Sequence, residues 1–200
     1  MQQITDQIYQ INLGPVNVFV IEENDGLTLI DTGFKNSTDK IFKAIEKAGK
    51  DPKNIKQIIL THTHPDHAGS AAEIKRRLNI PILVHAEDAK LAENGVAGRL
   101  PHQPSPGFLN FILFNLFIKN SPNEIEAFTA DQILNDNDVL PLLGGTQVIY
   151  TPGHSLGHIC LLIKKENLLV AGDLCSNMMG IGYSTVYENR EVGKKSIYKA

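Results

Sequence analysis

An α+β domain is the fold class that this sequence predicts, on three observations. Its first third carries short β-branched and aromatic runs between Gly14-Pro15 and Asn24-Asp25-Gly26 breakers. Residues 36–49 change to a helical period, and strand-like and helical runs follow one another from there. The groups with metal-binding chemistry come directly after strand-like runs, which places them on the loops that follow strands.

Taken in order, 7–13, 16–22 and 27–31 read as strands of a meander. In 36–49 the residues Ile41, Phe42, Ile45 and Ala48 share one helical face, and Gly49 is a stop signal. A short apolar strand at 56–61 ends where a histidine cluster begins. The run Ser70-Ala71-Ala72-Glu73 has capping-box spacing and predicts a helix starting just after His67. Further strands are expected at 81–85, 147–151, 159–164 and 167–171. Residues 108–118 are apolar and read as a core-packing helix, with a mobile lid as the sharper alternative.

Composition bounds the answer. A chain of 200 residues fits one domain spanning 1–200, able to bury roughly 70% of its unfolded surface. The formal charge of -3 arises from 19 basic and 22 acidic residues, with no massed basic face, so no nucleic-acid partner is expected. Residues 1–7 lack the basic start and apolar core of a secretory signal. The longest apolar stretch, 108–118, is shorter than the about 20 residues a membrane span needs. Cys160 and Cys175 are too few for a disulfide framework. A soluble cytoplasmic protein acting on a small molecule is the expectation, with its oligomeric state unread.

Five of the seven histidines fall in two stretches: Thr61-His62-Thr63-His64-Pro65-Asp66-His67-Ala68-Gly69 and Thr151-Pro152-Gly153-His154-Ser155-Leu156-Gly157-His158. Imidazole and carboxylate are the usual protein ligands of zinc, and such density suits enclosure of a small ion. Residues two apart in an extended chain point the same way, so His62 and His64 address one ion, while a turn redirects Asp66 and His67.

His-x-His-x-Asp-His at 62–67, Gly-His-Ser at 153–155, Gly-Asp at 172–173 and the early Asp31-Thr32-Gly33 together resemble the metallo-β-lactamase superfamily. The resemblance implies an αββα sandwich with a metal site along one edge, here lacking the final strand and helix. It implies that His62, His64 and His154 hold a first metal, that Asp66 and His67 hold a second, and that Asp173 bridges them. Asp31 is expected to hold the loop or orient a ligand from behind, and His158 to support the His154 loop. The implied cofactor is Zn2+, one or two per chain, with Fe or Mn as substitutes. One departure stands out: the family pattern ends in a further histidine ligand, and no histidine follows His158 in this chain. His85 and His102 are read as ordinary histidines.

The implied chemistry is hydrolysis by a zinc-activated hydroxide, because zinc lowers the pKa of water from about 15.7 to about 7, equivalent to about 12 kcal/mol. Asp66 is expected to assist proton transfer. The run around His154 looks like the glyoxalase II and lactonase branches, which points to a thioester, ester or lactone substrate. Ser155 and Cys175 are read as a loop hydrogen bonder and a small half-buried residue, and Tyr183 and Tyr187 as packing residues or substrate donors.

Three rivals remain at this stage. Asp31-Thr32-Gly33 also resembles the aspartic-protease turn, but only one copy is present. A mononuclear iron site of His62, His154 and Asp173 would suit a persulfide dioxygenase-like enzyme. The third is a non-catalytic metal- or partner-binding protein with 108–118 as an interface.

Overall fold

The computed structural model describes residues 1–177 and 180–200, with the side chains of residues 109 and 117 outside the description. In chain order the elements are β1 (Gln2–Gln3), β2 (Ile8–Asn12), β3 (Asn17–Glu23), β4 (Gly26–Ile30), α1 (Thr38–Lys47), β5 (Ile55–Ile59), α2 (Pro65–Ala68) and α3 (Ala71–Leu78). They continue with β6 (Ile82–His85), α4 (Ala86–Ala92), β7 (Gln103–Pro104), α5 (Phe108–Leu113), β8 (Gln132–Leu134), β9 (Val139–Leu140) and β10 (Thr146–Tyr150). The last are β11 (Ile159–Ile163), β12 (Leu168–Val170), β13 (Cys175–Ser176), β14 (Gly182–Tyr183), β15 (Val186–Tyr187) and α6 (Arg190–Lys199).

Seven strands form one sheet in the order β1-β2-β3-β4-β5-β6-β8, and four form a second in the order β12-β11-β10-β9. The meander β1 to β4 is antiparallel, whereas β4, β5, β6 and β8 run parallel. Parallel pairing needs crossover connections, and α1 and α3 supply two of them. Side chains alternate across the large sheet as the strand period requires. Val18, Val20, Leu29 and Ile58 face a core completed by Ile41, Ile45 and Ile74 of the helices. Ile21, Ile30, Ile59 and Leu83 instead meet Val148, Leu161, Ile163 and Val170 of the small sheet. On the outer face of the small sheet, Ile149 and Cys160 cluster with Ile197 of α6. The layering is therefore helix, sheet, sheet, helix, the expected αββα sandwich.

Two local expectations are corrected. Ser70 precedes α3, but its side chain makes no capping bond there. Its hydroxyl donates to the Phe34 carbonyl at 2.6 Å and accepts from Ser37 N at 2.9 Å, while Glu73 accepts from Thr38 Oγ1 at 2.7 Å. The pair is spent on tying α3 to the start of α1 instead of closing a local box.

Residues 108–118 do form a helix, α5 continuing as a π-helical turn over Phe114–Ile118, but it is not a core helix. Phe108 is 81%, Phe111 57% and Leu116 70% exposed. The reason is position: the segment lies on an excursion closed at its base by the Val96–Glu124 bridge and the Ala97 N–H to Asn123 carbonyl bond, outside both sheet interfaces. Among the described residues no helix is long and apolar enough to cross a membrane.

Candidate metal centre

The first histidine loop starts where β5 stops. Thr61 is clamped by Asp31 at the end of β4: its N–H and Oγ1 both donate to the Asp31 carboxylate, each at 2.8 Å. Its carbonyl accepts from Ile159 N at 2.9 Å, which ties the loop to the small sheet. Pro65 then opens α2, and the His64 carbonyl accepts from the N–H groups of His67 and Ala68. One extended stretch followed by one helical turn thus brings His62 beside both His64 and His67, so that it takes part in two neighbouring groups of donors.

The second histidine loop brings His154 onto the first. His154 Nε2 lies 3.1 Å from His62 Nε2 and 2.8 Å from His64 Nδ1. All three side chains are buried. The hydrogen bonds on their far sides assign the tautomers. His62 Nδ1 donates to Thr61 Oγ1 at 3.1 Å, because that hydroxyl's proton is committed to Asp31. His154 Nδ1 donates to the Val186 carbonyl at 2.8 Å, with Ser184 Oγ 2.9 Å away. Both rings therefore turn an Nε2 lone pair inward. Burial holds His62 and His64 well below the usual imidazole pKa, so those rings are neutral rather than cationic.

A second cluster adjoins the first. His62, His67 and Asp173 offer donor atoms within 4.8 Å of one another. Asp173 Oδ1 lies 3.2 Å from His67 Nε2 and its Oδ2 lies 3.4 Å from His154 Nε2, so one carboxylate spans both clusters. Asp66 Oδ2 is 3.7 Å from His67 Nε2. Burial works to raise the Asp173 carboxyl, yet His67, His154 and His158 outweigh it and hold the group well below the usual carboxylate range. Burial lowers His67, but Asp173, Asp31 and Asp66 around it prevail and draw it toward the cation.

Asp31 and His158 sit behind these groups. The Asp31 carboxylate accepts from His67 Nδ1 at 2.8 Å besides its two bonds from Thr61. His158 Nε2 accepts from Asp173 N at 3.0 Å, leaving its Nδ1 proton for Thr151 Oγ1 at 2.8 Å. Gly172 adopts φ +52, and a Cβ there would lie 2.7 Å from His158 Nε2, so this turn admits glycine alone. Ser155 donates to Asp88, Cys175 is half-buried, Tyr187 is buried and Tyr183 is about half exposed. His85 stacks on Tyr150, whereas His102 stands beside His64, ring centres 5.4 Å apart.

Sequence reasoning missed two carboxylates. Asp88 of α4 and Glu188 after β15 are both buried and both accept backbone N–H groups of the His154 loop, from Gly157 at 2.9 Å and Leu156 at 2.7 Å. No spacing signature marks either; the one local cue is an acid in the first turn of α4.

The donor set fits a divalent cation on grounds internal to the structure. Three buried imidazoles bring ring nitrogens to 2.8 and 3.1 Å of one another, two of them with an Nε2 lone pair turned inward, and the buried His67 Nε2 stands 3.2 Å from Asp173 Oδ1 without a hydrogen bond; a cation among these groups would satisfy them all.

Comparison with known proteins agrees. Residues 11–176 match the family described as "Metallo-beta-lactamase superfamily", and the chain belongs to that superfamily. It is similar to "Probable metallo-hydrolase YybB" of Bacillus subtilis (strain 168), 28% identical over 183 residues, covering 87% of this chain and 71% of that protein. A second relative from the same organism, "Probable metallo-hydrolase YflN", is 28% identical over 170 residues, covering 83% of this chain and 63% of the relative. Among solved structures, BJP-1, a subclass B3 metallo-beta-lactamase of Bradyrhizobium japonicum, superimposes with a TM-score of 0.73 at 27% identity, covering all of this chain and 72% of that one. The superfamily and the His and Asp groups gathered here imply a divalent metal, and both Bacillus subtilis relatives carry the name probable metallo-hydrolase.

Proposed function

We propose that this chain carries the catalytic centre of a metal-dependent hydrolase acting on a thioester, ester or lactone. His62, His64 and His154 would hold a first zinc ion and Asp66, His67 and Asp173 a second, with Asp173 shared. The observation that carries the reading is the meeting of two inward Nε2 atoms and one Nδ1 atom at 2.8 and 3.1 Å, across loops from different sheets.

A cation held by these residues would supply water ionised near neutral pH and a Lewis acid for a carbonyl oxygen. The protein's own groups do the rest. Asp31 and Thr61 fix the rings of His67 and His62 through their Nδ1 atoms. Asp66 is partly exposed at the edge of the cluster, and burial raises its carboxyl above the ordinary range. Such a group can take a proton at Oδ2 from an attacking water and deliver it to the leaving oxygen or sulfur. The carboxylate of Asp173, which reaches toward both His67 and His154, would offset the charge of a cation held in either cluster.

The free thiols of Cys160 and Cys175 are consistent with a reducing, cytoplasmic setting. A second reading, mononuclear iron acting on a persulfide, is favoured by Asp173 Oδ2 standing 3.4 Å from His154 Nε2, next to His62. The two are separated by metal analysis after anaerobic purification, followed by assay on a panel of thioesters, lactones and β-lactams at defined zinc or iron loading. Zinc-dependent hydrolysis supports the proposal. Oxygen consumption on a persulfide with iron, and no hydrolysis with zinc, would replace it.

A further inference from the structure

We infer that Asp88 is a positioning residue of the metal centre, a single buried carboxylate that sets the distance between the two histidine loops. The inference rests on the reading that His62, His64 and His154 hold a cation, and adds the device that keeps them in register.

Asp88 lies in the first turn of α4 and is wholly buried. Its Oδ2 accepts from Thr63 N at 3.1 Å and from Ser155 Oγ at 2.9 Å; its Oδ1 accepts from Gly157 N at 2.9 Å. Thr63 is the residue between His62 and His64, and Ser155 follows His154 directly. One side chain therefore holds the backbone of one loop and both the backbone and a hydroxyl of the other. The fit is close at Gly157, where any side chain would overlap the Asp88 carboxyl.

A merely structural role would have no need of a charge here. Arg99 Nη1 stands 3.7 Å from Oδ1, too far for a hydrogen bond, and nothing else cationic reaches the group among the described residues. Burial pushes the carboxyl up to about 6, so its ionised form is held at a cost to folding. What the carboxylate does that no neutral side chain can is accept on both oxygens at once from donors that cannot turn around. The Thr63 and Gly157 N–H groups belong to the backbone. An amide in place of the carboxylate has one oxygen, so one of the two would lose its acceptor, whereas Ser155 Oγ can reverse its role.

The test is Asp88→Asn in the intact chain, with zinc affinity measured by competition against a chromophoric chelator, alongside the Tm of the metal-free protein. The expected result is a zinc dissociation constant raised about 10- to 100-fold, the range typical of losing an outer partner of a metal site. The metal-free Tm should stay within a few degrees of wild type. Ser155→Ala, which keeps both backbone bonds, should weaken zinc by about three- to tenfold. Unchanged zinc affinity in folded Asp88→Asn overturns the inference whatever happens to Tm, because a stability role moves Tm and leaves affinity alone. Should Asp88→Asn not fold, Ser155→Ala decides alone: weakened zinc supports the inference and unchanged zinc overturns it. A wild-type protein that takes up no zinc or other divalent cation removes the reading beneath and the inference with it.

Discussion

His64 Nδ1 lies 2.8 Å from His154 Nε2, although the two residues are 90 positions apart in the chain and belong to loops that leave different sheets. Contact between two ring nitrogens at that distance, with a third at 3.1 Å from His154, is the geometric core of the centre. His62→Ala or His154→Ala is expected to release about one equivalent of metal and lower hydrolysis by more than about a hundredfold together. Metal analysis of gel-filtered protein beside a rate assay checks this. Full activity in a metal-free His62→Ala protein would end the hydrolytic reading.

Asp31 has φ 61, a left-handed conformation that asparagine tolerates and most residues do not. Asp31→Asn therefore keeps the turn while replacing one of two oxygens that accept from Thr61 N, Thr61 Oγ1 and His67 Nδ1. The expected result is a folded protein whose weaker-held metal is lost first, with affinity down about 10- to 100-fold. Asp31→Val should add backbone strain of about 1–3 kcal/mol, read as a lower Tm even without metal.

His158→Ala tests the support beneath Asp173. Removing the imidazole takes away the acceptor of the Asp173 N–H and the donor to Thr151 Oγ1, at a cost of about 1–3 kcal/mol for the buried group left unpaired. Activity should fall more than metal content, since the three imidazoles at the first site are untouched. His158→Gln should recover part of the loss, because its side-chain oxygen can accept from the same N–H. A variant that loses all its metal would instead make His158 a ligand.

Much of this was legible from residue order, and the exceptions have physical causes. The strands flanking the site read correctly to within a residue or two because each is a compact β-branched run closed by a turn, and their ends are where His62, His154 and Asp173 lie. Asp31 and His158 were readable through their place in a known motif. Asp88 was not, because a carboxylate that joins loops 25 and 67 residues away leaves no local pattern. Residues 108–118 misled for the opposite reason: apolar content states what a segment would bury, and only topology states whether a sheet is there to receive it. Ser70 and Glu73 have the spacing of a local cap, yet Ser37, Phe34 and Thr38 stand close enough to claim both.

The buried Asp88 also fixes the sign of a pH effect on stability. Its carboxyl has a folded pKa of about 6 against an ordinary value of 3.8, so the folded state binds this proton more tightly than the unfolded chain. Stability from this group is thus fully present below about pH 4 and is lost as pH rises through about 6, the reverse of a salt-bridged carboxylate. The shift of about two units corresponds to about 3 kcal/mol. Because other groups in the chain also titrate, the quantity to measure is the difference between wild type and Asp88→Asn in metal-free unfolding. Asparagine carries no charge at either end, so wild type should lose ground to the variant by about 3 kcal/mol between pH 4 and pH 7. A flat difference across that range would mean that the carboxylate is solvated or paired more fully than its three hydrogen bonds and Arg99 at 3.7 Å allow.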